Sequence, residues 1–140
     1  MSALNNAKKF FEACESAQGW ESCKEYVEDG ATFTAQADAM GEVSTVEGYT
    51  EFMKQIGGVT LAGATYTLHA ESFDENTRTA TFFGTYHATH VGEGPPIPPT
   101  NKTTNSHYVY ALKMSDNNKV VEMTKIWNDR WCFRELGWAE

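Results

Sequence analysis

The sequence predicts an α+β fold, in which helices cover one face of a strongly bent, mixed or antiparallel sheet and form a cone-shaped barrel with an internal pocket. Three short stretches with helical spacing of apolar residues occupy the first third of the chain. Four long stretches of alternating apolar residues fill most of the rest. Gly84, in the middle of one such stretch, indicates a bend or bulge. The 140 residues are most simply one domain, residues 1–140.

Helical spacing predicts three helices in the first third of the chain. The first helix should bury the apolar residues Leu4, Ala7, Phe10, Phe11, Cys14 and Ala17. The second is expected at residues 20–27 and should end at Asp29-Gly30. The third should begin at a capping box formed by Ser44 and Glu47 and end at Gly57-Gly58.

Alternation predicts a short strand at residues 31–36 and four long strands, at residues 63–73, 78–91, 102–115 and 119–129. The second long strand should direct one set of residues inward: Ala80, Phe82, Gly84, Tyr86, Ala88 and His90. Prolines in residues 92–100 predict a stiff extended loop. Residues 131–138 should form a short helix or coil that covers the sheet.

The Asp116-Asn117 turn sets the register of the last two strands if it closes a two-residue hairpin. The expected cross-strand pairs are then Leu112 with Val121, Tyr110 with Met123, Tyr108 with Lys125, and Ser106 with Trp127. This register is consistent with the apolar faces of both strands. It predicts that Lys125, Trp127 and Asp129 point towards the helices.

Composition excludes several classes of partner and site. A net charge of −8 without a basic stripe argues against binding to nucleic acid or to an anionic membrane. There is no stretch of membrane-spanning length and no signal peptide, so we expect a cytoplasmic protein. Three cysteines without a Cys-x-x-Cys pair predict neither disulfide nor zinc site. His87 and His90 should lie on opposite faces of a strand, so we expect no metal and no other cofactor.

Aromatic side chains are abundant, at 13% of the chain, and several carry a hydrogen-bond donor. The expected substrate-binding walls comprise Trp20, Tyr26, Tyr86, Tyr108, Tyr110 and Trp127, together with the inward-facing Lys125. Their hydroxyl and indole groups suit a ligand with a carbonyl or phenolic oxygen. The alternatives are an aromatic core whose polar tips are satisfied locally, or a dimer interface.

Asp129 and His90 are the candidate catalytic residues. A carboxylate beside Trp127 and Trp131 would have a raised pKa, which suits proton transfer. Alternatively, Asp129 forms a salt bridge to Lys125 or a nearby arginine, or caps the last helix. A histidine side chain can serve as acid or base in a pocket, but His90 also suits a hydrogen-bonded or hydrated position at a strand end. For Lys125, Schiff-base chemistry is a further alternative to pairing.

The chain resembles the SnoaL-like branch of the nuclear transport factor 2-like superfamily over nearly its whole length. The resemblance is found in five segments: residues 26–33, Thr45 to Tyr49, residues 119–122, Trp127-Asn128-Asp129, and Leu136-Gly137. The resemblance implies an α+β cone with a pocket between helices and sheet, and a homodimer through the outer face of the sheet. Members include polyketide cyclases, ketosteroid isomerases, epoxide hydrolases, dehydratases and non-catalytic binding modules.

The catalytic patterns of that superfamily are only partly present. The general-base aspartate of the isomerases would fall near Ala35, and the Asp-Arg-Asp set of the epoxide hydrolases is not recognisable. The cyclases' acid/base aspartate would fall near Thr124 or Lys125, with Asp129 as the nearest candidate.

Two functional hypotheses follow, and a third is weaker. The first is an enzyme that acts on a small hydrophobic cyclic or polyketide-like substrate by cofactor-independent acid/base chemistry, of cyclase, isomerase or dehydratase type. The second is a non-catalytic module for small-ligand binding or dimerisation. The third is an assembly domain with large apolar patches on the outer sheet face. A small apolar or aromatic molecule and a second copy of the chain are the expected partners.

Overall fold

The computed structural model describes residues 2–93 and 97–139, which form four α-helices around a five-stranded bent sheet that does not close. The helices are α1 Ala3–Glu15, α2 Trp20–Cys23, α3 Val46–Gln55 and α4 Asp129–Leu136. The strands are β1 Val27–Gln36, β2 Thr65–Asp74, β3 Thr79–Thr89, β4 Thr103–Met114 and β5 Val120–Trp127. The sheet order is β1-β5-β4-β3-β2, with β1 parallel to β5 and the other neighbours antiparallel. The predicted α+β cone is confirmed.

Helix α1 packs its apolar face on the sheet. Ser2 caps the helix, since its Oγ accepts a hydrogen bond from the Asn5 amide at 3.1 Å. The ring of Phe11 stacks on Phe82 of β3 with 4.8 Å between centroids. The last residue of the helix, Glu15, is buried with the apolar residues and only 3% exposed. The helix therefore places a carboxyl group in the core, on the inner side of the sheet.

The second helix is shorter than predicted. α2 ends at Cys23, a 3₁₀ turn covers Lys24–Tyr26, and β1 already begins at Val27. The expectation of a helix up to residue 27 was wrong because Val27 pairs with Val120 of β5 and is buried in the core. A bulge follows, between Val27 and Thr32.

Helix α3 begins one residue later than the predicted cap. Thr45, rather than Ser44, is the N-cap, and its Oγ1 accepts a hydrogen bond from the Gly48 amide at 3.0 Å. Beyond the helix, a π-helical turn at Ile56–Thr60 continues the same path past the two glycines. This turn forms part of the rim of the cone.

The register of β4 and β5 differs from the prediction by two residues. The pairs are Tyr108 with Trp127, Tyr110 with Lys125, and Leu112 with Met123. The turn is longer than two residues: the Ser115 amide donates to the Lys119 carbonyl at 2.7 Å, and Asn118 adopts a positive φ of 60°. An even shift keeps each residue of the β4 face inward. A bulge in this region turns Val121 outward, against the prediction, and buries Val120 instead.

Helix α4 covers one end of the sheet and ends the fold. Asn128 caps it by accepting a hydrogen bond from the Trp131 amide at 3.0 Å, and Gly137 terminates it in the left-handed conformation. The loop predicted at residues 92–100 lies partly outside the described residues. Within the described part of the chain, no helix combines the length and apolar character needed to cross a bilayer.

Candidate functional site

Two adjoining hollows open between α3, α4 and the sheet. The outer one has a volume of about 430 Å³ and is mostly apolar, with walls formed by Ala39, Phe52, Gln55, Ile56, Thr60, Leu61, Trp127, Cys132, Phe133 and Trp138. The inner one is only about 30 Å³ and is lined by Met40, Phe52, Met53, Ile56, Leu61, Tyr86, Tyr108, Lys125 and Trp127. The two share four wall residues and are therefore adjacent. We call them the outer cleft and the inner hollow.

Lys125 lies at the bottom of the inner hollow and is only 4% exposed. Its Nζ donates a hydrogen bond to the Tyr49 hydroxyl at 2.8 Å. Four aromatic rings surround the same atom at 5.0 to 5.5 Å from their centroids: Tyr49, Tyr108, Tyr110 and Trp127. Ring faces attract a cation, so this environment tolerates the ammonium form better than an aliphatic core would.

A buried chain of hydrogen bonds connects Lys125 with Glu15. The hydroxyls of Tyr49 and Tyr110 are 2.5 Å apart, and the Tyr110 hydroxyl donates to Glu15 Oε1. The four residues of this relay come from β5, α3, β4 and α1, respectively. The fold thus joins a base and an acid through two hydroxyls that can both donate and accept.

Burial shifts the pKa values of both ends of the relay. Desolvation raises the pKa of Glu15, and the nearby Lys125 opposes that shift. Desolvation also lowers the pKa of Lys125, and Glu15 opposes that shift in turn. Both directions favour a proton on the carboxyl group and a neutral amine over a buried ion pair.

Two tyrosine hydroxyls beside the inner hollow have no hydrogen-bond partner within the described residues. They belong to Tyr86 and Tyr108, and Glu15 Oε2 shares this condition. The Tyr108 hydroxyl nevertheless lies near the Glu15 carboxyl, and the interaction between them opposes the rise in the pKa of Glu15. Desolvation raises the pKa of both tyrosines, so both hydroxyls keep their protons. Buried polar groups are normally satisfied, so these atoms suit a bound ligand or water.

Gly84 makes room for one of these hydroxyls. It pairs with Tyr108 across β3 and β4, and a Cβ atom at Gly84 would lie 2.8 Å from the Tyr108 hydroxyl oxygen. The same Cβ would approach the Thr67 carbonyl oxygen to 2.9 Å. The mid-strand glycine predicted to mark a bend therefore also sets the position of a polar group in the site.

Five of the predicted binding residues come together here. Tyr86, Tyr108, Lys125 and Trp127 line the inner hollow, and Tyr110 lies directly behind it in the relay.

Trp20 and Tyr26 do not line either hollow. Trp20 borders a separate surface hollow beside β1, and Tyr26 borders a groove along α1. Their displacement follows from the early end of α2, which orients this segment towards the outside of the cone.

His90 and Asp129 also lie outside both hollows and apart from each other. His90 is fully buried past the end of β3, where its Nδ1 accepts a hydrogen bond from Trp138 Nε1 at 2.8 Å. Asp129 begins α4, and its Oδ2 accepts a hydrogen bond from the Ala39 amide at 2.8 Å beside a polar groove. Nδ1 of His90 and Oδ2 of Asp129 thus both have structural partners. Their catalytic roles stay predictions.

Sequence reasoning missed Glu15 and the role of Tyr49. A signal for Glu15 is present, because Ala7, Phe11 and Glu15 are spaced by four and share one helix face. A carboxylate in line with an apolar stripe is a candidate for a buried functional group. Tyr49 lies within the predicted third helix, and its hydroxyl lies between Lys125 and Tyr110.

Comparisons with known proteins support the fold. No family model and no curated protein sequence matches the chain. Among solved structures, IdmH from Streptomyces antibioticus, a proposed polyketide cyclase, superposes with a TM-score of 0.78 at 15% identity, covering 98% of this chain and 99% of its own. A proposed SnoaL-like polyketide cyclase from Jannaschia sp. CCS1 gives 0.77 at 12% identity, covering 96% and 90%. AclR from Streptomyces galilaeus, a proposed hydroxylase, gives 0.76 at 17%, covering 99% and 86%.

At these identities the likeness concerns the fold. The superpositions extend over at least 96% of this chain, so they include both the helices and the bent sheet that enclose the hollows. The chain therefore has the α+β cone fold of the SnoaL-like proteins, as its sequence resemblance predicts.

Proposed function

We propose that this protein is a small-molecule enzyme that moves protons on an apolar, carbonyl-bearing cyclic or polyketide-like substrate. The observation that carries the proposal is the buried relay from Lys125 to Glu15 at the bottom of an apolar cleft. A base with a lowered pKa next to free hydroxyl donors is what proton abstraction beside a carbonyl requires.

The two hollows fit two parts of one ligand. At about 430 Å³, the outer cleft falls within the usual range for sites that bind ring-sized molecules. Aromatic and aliphatic side chains such as Phe52, Ile56 and Phe133 would contact its apolar body. The inner hollow, about 30 Å³, matches the space of roughly one water molecule and so fits a single oxygen atom.

The polar groups around the inner hollow then take distinct roles. Tyr86 and Tyr108 would donate to the carbonyl oxygen and stabilise the negative charge that develops there. Neutral Lys125 would take the proton from the adjacent carbon and hold it as an ammonium group, which the four surrounding rings stabilise. Isomerisation, ring closure and loss of water all begin with this step. We include in the proposal that no cofactor takes part, because these side chains supply both base and oxyanion donors.

The SnoaL-like neighbours support the proposed substrate class. Several of them are named as proposed polyketide cyclases, whose name implies cyclic, oxygen-bearing products. Because one fold hosts several chemistries, the reaction rests on the relay rather than on the neighbours.

Hydrogen–deuterium exchange tests the proposal without knowledge of the natural substrate. The protein would be incubated in D₂O with 1-tetralone, an apolar bicyclic ketone, and deuterium beside the carbonyl would be followed by NMR. We expect exchange above the buffer rate, and at least about 100-fold less of it in Lys125→Met. The matched control is Asp129→Asn, which alters the carboxylate outside the cleft and should retain exchange.

Three other results would count against the proposal. Exchange that survives in Lys125→Met would show that the relay takes no part in proton transfer. Exchange lost only in Asp129→Asn would restore the carboxylate predicted from the sequence. Saturable binding of the ketone without exchange would identify a non-catalytic ligand-binding module, the alternative function.

A further inference from the structure

We infer that Lys125 is a covalent site, whose amine condenses with an apolar aldehyde or ketone in the outer cleft to form an imine. This inference rests on the proposed function for the location of the carbonyl group, and it adds a bond between protein and ligand. It would make the protein a carbonyl-capturing enzyme and define the reactive part of its substrate.

The first requirement is an uncharged nucleophile, and the surroundings of Lys125 supply it. Within residues 2–93 and 97–139, the ion pairs are Lys8–Glu71 and Lys24–Glu21, so no carboxylate is in direct contact with Lys125 Nζ. The nearest acid in the relay, Glu15, is separated from Nζ by two tyrosine hydroxyls. A proton that passes along this relay leaves the amine free to attack. Burial favours the same neutral state of both groups.

The second requirement is access from the ligand side only. Lys125 is 4% exposed and lines the inner hollow, which shares four wall residues with the outer cleft. A carbonyl group entering the inner hollow would meet Nζ, while its apolar body stays among Phe52, Ile56 and Trp127. The inner hollow excludes bulk water, which otherwise hydrolyses imines.

The third requirement is a route for the oxygen that leaves. The nitrogen lone pair attacks the carbonyl carbon, a C–N bond forms, and the carbonyl oxygen becomes a hydroxyl. The C–O bond then breaks, and the oxygen departs as water with both protons of the amine. Nitrogen and carbon are left joined by a double bond, with no net oxidation or reduction. Tyr86 and Tyr108 line the same inner hollow as Lys125, and their hydroxyls would pass these protons.

The competing interpretation is a structural lysine. Four rings around Nζ would also stabilise a permanent ammonium, which has no lone pair to attack with. The two interpretations differ in one measurable property, the capture of carbonyl compounds at neutral pH.

Reductive trapping distinguishes them. The full-length protein would be incubated at pH 7 with 2-naphthaldehyde, reduced with sodium borohydride, and analysed by intact mass and peptide mapping. We expect one addition per chain, located on Lys125 and equal to the aldehyde's mass less one water molecule plus two hydrogen atoms from the reductant, a net loss of one oxygen atom. Glyoxylate, a charged aldehyde, is the matched ligand control and should label this residue at least tenfold less.

Variants sharpen the same experiment. Lys125→Met should lose the addition, whereas Lys113→Met, an exposed lysine of β4, should keep it. Labelling spread evenly over the surface lysines, or none on Lys125, would overturn the inference. Peptide mapping of the unaltered protein decides this even if Lys125→Met fails to fold. Exchange of 1-tetralone without trapping would support the proposed proton transfer and overturn the imine. Trapping without exchange would support the imine and overturn the proposed proton transfer.

Discussion

The two faces of β3 and β4 both carry polar side chains, but the surroundings of those side chains differ. On the outer face, Thr85 Oγ1 is 2.7 Å from both His69 Nε2 and His107 Nδ1, and both histidines are exposed. On the inner face, Tyr86 and Tyr108 are buried, and their hydroxyls have no partner within the described residues. These outer groups are hydrogen-bonded to close neighbours, while the two inner hydroxyls are not.

This difference indicates where the fold gives up stability. A buried polar group without a partner costs about 1–3 kcal/mol, and such groups in native proteins call for an explanation. Three such atoms, the hydroxyl oxygens of Tyr86 and Tyr108 and Oε2 of Glu15, belong to residues that line the inner hollow or take part in the relay. A bound carbonyl compound would satisfy the hydroxyls. The inner face is therefore better suited to binding a ligand than to serving only as a packed core.

The largest effect is expected for Lys125→Met. Methionine fills a similar volume without an ionisable group. With the relay proton on Glu15, the substitution leaves no uncompensated buried charge, whereas an ionised Glu15 left without Lys125 would cost about 3–5 kcal/mol. We therefore expect ketone exchange to be lost while the free energy of unfolding in urea stays equal or rises. A clear loss of stability would mean that the Lys125 amine stabilises the core. It would contradict the claim that the inner face gives up stability for ligand binding.

Gly84→Ala should have the second largest effect. The added methyl group would meet the Tyr108 hydroxyl and the Thr67 carbonyl, so the ring must move or the strands must separate. Overpacking of this kind costs about 1–3 kcal/mol, and exchange of 1-tetralone should fall with it. The matched control is Gly58→Ala, where a Cβ would meet nothing within 4 Å. Equal unfolding free energies for the two variants would contradict the close contact at Gly84.

The fold was largely predictable because one face of each strand packs against helices. The inward set of β3 follows simple alternation, and all six predicted residues, from Ala80 to His90, are buried. The β4–β5 register was not predictable. A shift by two residues leaves every side chain on the same face of the sheet, so the hydrophobic pattern cannot distinguish the two registers. The deciding detail, Asn118 in a positive-φ conformation within a longer turn, competes with an equally plausible two-residue turn.

The site was predictable only on its strand side. Parity alone directs Tyr86, Tyr108 and Lys125 inward. The partner acid, Glu15, comes from the other end of the chain, and the sequence does not state which helix face meets which strand. Trp20 shows the reverse error, since its aromatic character indicates burial but not the side of the cone on which it lies.

The pH dependence of stability tests the inner face through Glu15→Gln. Because the folded pKa of Glu15 is raised above its value in the unfolded chain, the folded state binds this proton more tightly. Its contribution to stability is complete below the unfolded pKa, about 4.5, and is lost as pH rises through the folded pKa. Glutamine keeps an acceptor for Tyr110 but does not titrate. As pH rises across this window, the free energy of unfolding of Glu15→Gln should therefore increase relative to that of the unaltered protein.

The smallest effect is expected on the outer face, for His107→Ala. The exposed imidazole contacts Thr85, which keeps its second partner His69, so no buried group is left unsatisfied. Surface changes of this kind usually stay within about 0.5 kcal/mol, and ketone exchange should be unchanged. A larger loss, growing as the protein is diluted, would mean that a second copy of the chain covers this face. The outer histidines would then be interface groups rather than surface groups.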